Sequence, residues 1–430
     1  MVHPGIIFGI GLAAMILVMW RWKTPLPFAL LLFSLIAALL AGFGIPFRHL
    51  VEGSFGYLNL LLGLFAGALF GQLLQVSGAT DEFADRVMKL VGGRVWPVLL
   101  IAGLLVFLVG CFVGVAGVAV LAMGVFVVPL LRRVGLSKER TAAFIAVIAT
   151  CGMIAPPVNV PAMSIADGVN MPYTGFELPL LLLSVIPAVF TLILFSLSRG
   201  LEPLPAPEAV TAPGGGRRMA SAVVALLLTL GFWIVLRAFP TLVPDPSAPL
   251  VLVVGSLAAL PLLNRGQIAI AGRAAFSGTP LMLAAVLVTV GIAVQIMTLT
   301  GVRGWLVISS MSLPSTAFLE LIILPLFGSV LTSMGTANVV GVPFAFALIH
   351  QDMILNVSAL SAIAAISEFM PPTAIATALA IYAVGGASML RVLRYCIWPI
   401  VAIVAVAVLM LAFADQLSGP LTAGGAIFRH

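Results

Sequence analysis

The sequence predicts an all-α polytopic membrane protein, built as an inverted repeat with two re-entrant helical hairpins and two helices broken by Pro-Pro pairs. Hydrophobic residues make up 62% of the 430 residues and charged residues only 8%, against about 25% charged residues in soluble proteins. The apolar residues fall in runs long enough to cross a bilayer, which takes about 20 residues. A Pro-Pro pair interrupts one run in each half, at 156–157 and 371–372.

This composition excludes a soluble globular domain and a disordered chain. The chain carries 20 Lys and Arg against 14 Asp and Glu, a net charge of +6. Because the basic residues lie in short gaps between apolar runs, they are typical of topology signals and do not indicate nucleic-acid binding. Cys111, Cys151 and Cys396 lie inside apolar runs without metal-type spacing, and we expect them to be small core residues.

The elements follow from the apolar runs in chain order. These runs lie at 5–20, 26–46, 57–76, 95–131, 141–166, 178–198, 219–239, 248–264, 277–300, 312–349, 356–384 and 392–414. The first has no A-x-A-like cleavage site, and we expect it to be a retained span. The runs 95–131 and 312–349 are close to twice the length of a span and have Gly-rich middles. They predict hairpins that enter and leave the membrane on one side; two ordinary spans with a tight turn are the alternative.

The basic residues predict the orientation. With the hairpins returning to their own side, only Arg48, Arg237, Arg303 and Arg429 fall on one face, and the other sixteen of the 20 Lys and Arg fall on the opposite face. The positive-inside rule makes the second face cytoplasmic. The first hairpin is therefore predicted to open to the cytoplasm and the second to the outer side.

A polar stretch rich in Pro and Gly at 199–218 divides the chain into halves with the same order of elements. Because the halves are offset by an odd number of spans, they run in opposite directions. In the first half we expect scaffold spans at 1–56 and a first repeat at 57–198, with its hairpin at 95–131 and its broken helix at 141–166. A cytoplasmic linker at 199–218 and scaffold spans at 219–264 follow. The second repeat is expected at 265–414, with its hairpin at 312–349 and its broken helix at 356–384, and an outer tail at 415–430. Within the repeats, the spans 178–198 and 392–414 are expected to join the scaffold.

The Pro-Pro pairs predict the functional site. Each proline lacks an N–H and clashes with the preceding turn, so the helix must break, and broken backbone in a membrane is tolerated only where it is buried in protein or lines a cavity. Freed carbonyls suit a hard cation such as Na⁺, and a half-helix N-terminus suits an anion. A simple packing kink is the alternative interpretation.

Two sets of candidate residues follow from the breaks and the hairpin tips. For Na⁺, held mainly by backbone carbonyls, they are Gly114, Gly117, Pro156, Thr332, Gly335, Glu368 and Pro371. For the substrate they are Asn159, Ser333, Thr336, Asn338 and Thr373. Acidic residues inside a membrane are functional candidates by default, and Glu368 is the best placed of them for coupling to a cation or a proton. Glu320, before the second tip, is a weaker candidate.

Sequence motifs of soluble enzymes are missing. The four histidines are too scattered for an H-E-x-x-H zinc site, and neither a nucleotide-binding G-x-x-x-x-G-K-[ST] nor a G-x-S-x-G elbow occurs. We therefore expect no enzymatic activity and no organic cofactor.

The segments 114–117 (GVAG), 129–135 (PLLRRVG), 149–157 (ATCGMIAPP) and 367–372 (SEFMPP) resemble the large membrane subunit of tripartite ATP-independent periplasmic (TRAP) transporters. The resemblance implies an elevator-type, Na⁺-driven importer of the bacterial inner membrane. It also implies an organic anion such as a dicarboxylate as substrate, a periplasmic binding protein that delivers it, and a small four-helix membrane subunit. The first tip departs from the family because it lacks hydroxyl residues. A solitary anion symporter or cation/proton antiporter of the wider ion-transporter superfamily is therefore the alternative.

Overall fold

Helices account for all regular secondary structure in the residues described by the computed structural model, which are 2–197, 231, 248–311, 325, 327, 331–348, 352–371 and 373–422. The predicted linker 199–218, almost all of the span 219–239, Glu320, Pro372 and the last eight residues of the predicted tail lie outside these ranges. So does most of the first arm of the second hairpin.

The helices follow the predicted apolar runs. They are α1 (Pro4–Trp22), α2 (Leu26–Leu40), α3 (Phe47–Ser54), α4 (Leu58–Val76), α5 (Ala79–Val91), α6 (Val95–Val113), α7 (Ala116–Arg133), α8 (Lys138–Ile154), α9 (Val160–Gly168), α10 (Glu177–Leu197), α11 (Ala248–Ala259), α12 (Arg265–Ala275), α13 (Gly278–Leu299), α14 (Val302–Met311), α15 (Leu331–Phe346), α16 (Met353–Ala365), α17 (Ile375–Ala383), α18 (Met389–Ala412) and α19 (Ala414–Thr422). Among the described residues, seven helices are long and apolar enough to cross a membrane: α1, α4, α6, α7, α10, α13 and α18.

The outer surface of the bundle is apolar, as a lipid-facing surface must be. Large apolar side chains remain exposed on several of the long helices, such as Leu62 on α4, Ile186 on α10 and Trp398 on α18. A soluble monomer rarely exposes apolar residues on this scale. Together with the seven apolar helices, this surface identifies a multi-pass membrane protein.

Basic loops that are far apart in sequence contact one another in the structure. Arg391, at the start of α18, pairs with Glu139 at the start of α8, with 3.2 Å between nitrogen and oxygen. Arg133, at the end of α7, pairs with Asp85 of α5 at 2.6 Å. These contacts bring the ends of α7, α8 and α18 and the middle of α5 to the face that carries most of the basic charge. We call this face the basic side; it is the predicted cytoplasmic side.

The helices form two groups that meet along one interface. The frame group comprises α1–α4 and α11–α13, and the site group comprises α6–α10 and α15–α19. The short helices α5 and α14 contact members of both groups, and each connects a frame span to a hairpin. The expected scaffold differs from this division, because α10 and α18 pack on the broken helices α8 and α16.

Each hairpin packs against the broken helix of the other half. On α7, an added Cβ at Gly117 would meet Leu379 of α17, and one at Gly124 would meet Ala383 of α17. On α15, an added Cβ at Gly341 would meet Ile165 of α9. Residue numbers rise together along the first pair, so α7 is parallel to α17. Since α8 returns antiparallel to α7, the helix α16–α17 runs opposite to α8–α9. An inverted repeat requires this relation.

The tip of the first hairpin lies at the break in α8–α9. An added Cβ at Gly114 would lie 2.7 Å from the carbonyl oxygen of Val158. The helix α9 continues for nine residues past this level, which is about 13 Å at 1.5 Å per residue. A re-entrant hairpin and a pair of spans both return to the basic side, so the charges at their ends do not separate the two alternatives. The tip position agrees with a re-entrant hairpin, and the two arms, α6 and α7, are also each long and apolar enough for the pair of spans.

Candidate functional site

The first tip requires a glycine at position 114. Gly114 has φ +68, in the left-handed region that favours glycine. It also has no room for a side chain against Val158 and Val160. The neighbouring Cys111 donates its S–H to the carbonyl oxygen of Pro156. That carbonyl was a predicted cation ligand, and in this structure it accepts a hydrogen bond from the protein.

Asn159 hydrogen-bonds to backbone groups that the first break leaves unpaired. Its Oδ1 accepts a hydrogen bond from the N–H of Ala162 at 2.9 Å and so caps α9. Its Nδ2 donates to the carbonyl oxygen of Ile154 at 3.0 Å and to Oγ of Ser361 at 3.0 Å. Asn159 therefore satisfies polar groups on both sides of the break and joins the two repeats. All of these hydrogen bonds are made to other parts of the protein, and the sequence alone does not identify these partners.

Glu368 closes the second break and binds the second tip. Its Oε1 accepts a hydrogen bond from the hydroxyl of Ser333 at 2.7 Å. Its Oε2 accepts one from the N–H of Ala376 at 2.9 Å, in the first turn of α17. The backbone carbonyl of Glu368 accepts a third from the hydroxyl of Thr377 at 2.9 Å. An anion at a helix N-terminus is stabilised by the unpaired amides there. Glu368 thus pairs with backbone groups at the second break as Asn159 does at the first, but with an ionisable side chain.

Burial makes the charged form of the Glu368 carboxylate energetically unfavourable. Glu368 is only 5% exposed, and the effective penalty for burying an ion is several kcal/mol. Hydrogen bonds to charged groups contribute about 1.5–3 kcal/mol each, so the donors from Ser333 and Ala376 offset much of this penalty. A bound cation or a proton would neutralise the remaining charge.

The second tip is strained beside this carboxylate. Thr332 has φ +68, which is unfavourable for a β-branched residue and costs about 1–3 kcal/mol. Its Oγ1 accepts a long hydrogen bond, 3.5 Å, from the N–H of Gly335. Backbone strain of this kind persists only where the surrounding contacts hold it in place.

Both tips and both breaks contribute to one small cavity of about 30 Å³, which we call the tip cavity. It is lined by Leu60 and Leu64 of α4, Gly114, Val115, Gly117 and Val118 of the first tip, Met153 of α8, Leu287 of α13, Thr332, Ser333 and Met334 of the second tip, Glu368, and Ile375 of α17. A water needs about 10–15 Å³ measured in this way. The cavity has room for a water or an unhydrated monovalent cation and is too small for an organic acid.

The chemistry of the tip cavity comes from the second repeat. When the two Pro-Pro pairs are superposed in sequence, Met153 falls at the position of Glu368, and both residues line the cavity. The first tip adds glycine and valine, whereas the second adds Thr332 and Ser333. Glu368 is the one ionisable side chain among the described residues that line it.

Five predicted site residues line the tip cavity and seven do not. Gly114, Gly117, Thr332, Ser333 and Glu368 line it. Pro156, Asn159, Gly335, Thr336, Asn338, Pro371 and Thr373 are not among its lining residues.

Two residues of the second group have other surroundings. Thr336 is fully buried, and its hydroxyl has no hydrogen-bond partner among the described residues. The carbonyl of Asn338 accepts a hydrogen bond from the guanidinium of Arg303 at 2.8 Å.

Sequence reasoning missed Arg303 and Met153. Arg303 lies on α14, next to the frame group, and binds the carbonyl of Asn338 in the π-helical turn Ala337–Gly341 of α15. Its place among the few basic residues of the outer side was the available signal. Met153 gives no signal, because a methionine in an apolar run is indistinguishable from a core residue.

Two larger cavities continue the tip cavity along the interface of α4 with α7 and α17, which we call the seam. The outer cavity, about 140 Å³, is lined by Gly56, Tyr57, Asn59, Leu60, Gly63, Val113, Val115, Val118, Val160, Pro249 and Met334. The basic-side cavity, about 380 Å³, is lined by Ala68, Gly71, Gln72 and Gln75 of α4, Leu121, Val125 and Val128 of α7, and Tyr382, Ala383, Val384 and Gly385. The three cavities therefore follow one another along α4, with the smallest in the middle.

No protein-family model matches the chain, and no curated protein matches its sequence. Among solved structures, it is similar to the Alcanivorax borkumensis YdaH transporter, whose crystal structure is described as having an unusual topology. That match has 13% sequence identity and a TM-score of 0.49, and it covers 87% of this chain and 89% of the other.

Proposed function

We propose that the chain is a secondary active transporter that takes up a small organic anion, a dicarboxylate or another carboxylate, together with Na⁺ across the bacterial inner membrane. The observation that carries this proposal is the position of Glu368. This buried carboxylate lies in a cavity that both hairpin tips close, midway along a line of three cavities.

The line of cavities supports a carrier over a channel. A channel needs a continuous path in its open state, whereas a carrier exposes one site alternately to the two sides. Here the middle cavity holds about 30 Å³ and the cavities on either side hold about 140 and 380 Å³. The wide cavities give access from each side, and the narrow one separates them.

The surroundings of Glu368 support cation coupling. A hard cation prefers oxygen ligands, and the cavity offers the carboxylate, the hydroxyls of Thr332 and Ser333, and the backbone carbonyls of two irregular tips. Moving an uncompensated carboxylate through the low dielectric of a membrane is costly. A bound cation removes this cost, so movement of the site group is coupled to cation occupancy.

The elevator mechanism is the motion proposed for this transport. Both tips, both breaks and Glu368 belong to the site group, and the seam separates this group from the frame. The site group would slide along α4 and carry the cation and the substrate with it. The resemblance to TRAP transporters supports a periplasmic binding protein and a small four-helix membrane subunit as partners.

One observation favours an alternative. Side-chain oxygens reach the tip cavity from the second repeat only, and the first tip contributes none. A single-cation anion symporter, or a cation/proton antiporter of the same superfamily that works without a binding protein, fits this asymmetry. In either case Glu368 remains the coupling residue.

The test is uptake of labelled succinate, malate and citrate into proteoliposomes with an inward Na⁺ gradient, an inward proton gradient or no gradient. We expect Na⁺-dependent uptake that Glu368→Gln reduces at least about tenfold, the factor that corresponds to 1.4 kcal/mol. Glu177→Gln, an exposed acid at the start of α10, is the matched control and should transport normally. Uptake driven equally by all three conditions would contradict coupling, and uptake driven only by protons would select the alternative.

A further inference from the structure

The basic-side cavity has the size of a ligand site. Its volume is about 380 Å³, within the range of about 300–1,000 Å³ that small-molecule sites occupy. Most of its wall is apolar, and the polar residues that line it are Gln72 and Gln75 on one side and Tyr382 on the other. An apolar pocket with a few polar groups is the usual composition of a small-molecule site.

This cavity continues the faces that line the tip cavity. On α4, Leu60 and Leu64 line the tip cavity, and Ala68, Gln72 and Gln75 follow at helical spacing. The same holds on α7, where Gly117 and Val118 precede Leu121, Val125 and Val128. On α17, Ile375 precedes Tyr382 by about two turns. A molecule leaving the tips towards the basic side along the seam therefore enters this cavity.

The contact between α4 and α7 in the wall of the basic-side cavity is tight. An added Cβ at Gly71 would lie 2.5 Å from the carbonyl oxygen of Leu121, so α4 and α7 approach backbone to backbone. Opening this contact requires that the site group move relative to the frame.

We propose that the basic-side cavity is a binding site for the transported carboxylate on its cytoplasmic leg, with the side-chain amides of Gln72 and Gln75 as hydrogen-bond donors. This inference rests on the proposed function. Amide N–H groups donate to carboxylate oxygens without neutralising their charge. None of the described residues that line the cavity is Lys, Arg or His, so the site holds an anion weakly and favours its release.

Tyr382 lies in the wall of the basic-side cavity opposite Gln72 and Gln75. Its hydroxyl donates a long hydrogen bond, 3.4 Å, to the carbonyl oxygen of Ala274 in α12 of the frame group. This bond joins the site group to the frame group, so movement of the site group changes the width of the cavity. The amide donors lie on α4, which belongs to the frame, and they stay in place when the site group moves.

The test measures binding without transport. Val128→Cys places a thiol in the wall of the cavity, and a membrane-impermeant methanethiosulfonate reagent is applied from the cytoplasmic side. The native cysteines are buried, and the unmodified chain reports any background labelling. Succinate, malate and citrate at millimolar concentration are the probes. We expect at least one of them to slow labelling about fivefold or more.

The donors are tested in the same assay. Gln72→Leu and Gln75→Leu keep the side-chain volume and remove the amide. Loss of one hydrogen bond should weaken protection about 2- to 10-fold, and the double variant should abolish it. Gln416→Leu is the matched control, because this exposed glutamine on α19 lies outside the seam. Gel filtration of each variant establishes that it is folded.

The outcomes separate this proposal from the proposed function. Labelling that none of the three anions slows, or that they slow equally in the double variant, would overturn the site. Decanoate is a fourth probe with an apolar tail. Protection by decanoate alone would identify a lipid-filled groove and would also overturn the site. Cation-driven uptake in proteoliposomes without protection would contradict the site alone. Protection without any gradient-driven uptake would contradict the transport mechanism and leave the site standing.

Discussion

At the scale of single residues, two side chains close the two helix breaks in different ways. Asn159 caps α9 with a neutral amide, and Glu368 caps α17 with a carboxylate. The difference matters because only the carboxylate changes its charge when a cation or a proton binds. The proposed coupling chemistry is therefore concentrated in the second half of the chain.

Replacement of Ser333 tests the cation site directly. Ser333→Ala removes the donor to Oε1 of Glu368 and a hydroxyl that lines the tip cavity. A hydrogen bond to a charged group is worth about 1.5–3 kcal/mol. The Na⁺ concentration for half-maximal uptake should therefore rise by about 10- to 150-fold. Ser196→Ala is the control, because that hydroxyl bonds only within its own helix. An unchanged Na⁺ dependence in Ser333→Ala would remove Ser333 from the site.

Asn159 is predicted to affect stability more than substrate affinity. Asn159→Ala removes the cap of α9 and leaves the carbonyl of Ile154 and the hydroxyl of Ser361 without this partner. A lost cap costs about 1 kcal/mol and a buried unpaired group about 1–3 kcal/mol. Thermal unfolding in detergent should move to lower temperature, with the KM for uptake unchanged. Asn159→Asp keeps the cap and should be less damaging; a raised KM with normal unfolding would instead restore Asn159 as a substrate ligand.

The site could be predicted in part because polar residues stand out in apolar runs. Glu368 and Ser333 carry that signal, and the structure brings them to within hydrogen-bond distance. Asn159 carries the same signal, and its side-chain hydrogen bonds are made to the protein. A sequence does not distinguish a polar group that binds a ligand from one that satisfies freed backbone, since both must be polar and buried. Met153 and Leu287 carry no signal, because apolar residues are expected everywhere in such a chain.

At the scale of elements, the first tip depends on one glycine. Gly114→Ala adds a Cβ at φ +68, which costs about 1–2 kcal/mol by itself. It also places that Cβ 2.7 Å from the carbonyl oxygen of Val158, so the tip must move away from the break and the tip cavity must open. We expect normal membrane insertion and loss of most uptake activity.

The matched control for Gly114 is Gly92→Ala. Gly92 has φ +60 and no atom within 4 Å of an added Cβ, so the change has a similar conformational cost without the clash. Uptake should survive in Gly92→Ala and fail in Gly114→Ala, measured at equal protein per vesicle. Equal uptake by the two variants would show that close contact between the first tip and the break is not needed for transport.

At the scale of the whole molecule, the order of the elements was predictable and their partners were not. Long apolar runs, a Gly-rich hairpin turn and a Pro-Pro pair are local signals, and each half contains them in the same order. The packing of α7 on α17 and of α15 on α9 exchanges partners between the halves. No local signal encodes such an exchange. For the same reason α10 and α18 were expected in the scaffold, although they pack on the broken helices.

The division into two groups predicts which cross-links stop transport. Cβ atoms in a disulfide lie about 3.5–4.5 Å apart, and an added Cβ at Gly67 of α4 would lie 3.6 Å from Cβ of Leu121 of α7. Gly67→Cys with Leu121→Cys therefore links the frame to the site group across the seam. Oxidation should abolish uptake, and dithiothreitol should restore it, because the disulfide prevents the groups from sliding. The single variants Gly67→Cys and Leu121→Cys are the controls, because neither can form the cross-link and oxidation should leave the uptake of each unchanged. Full uptake with the Gly67–Leu121 disulfide formed would rule out sliding along α4 and would require the tips alone to alternate access.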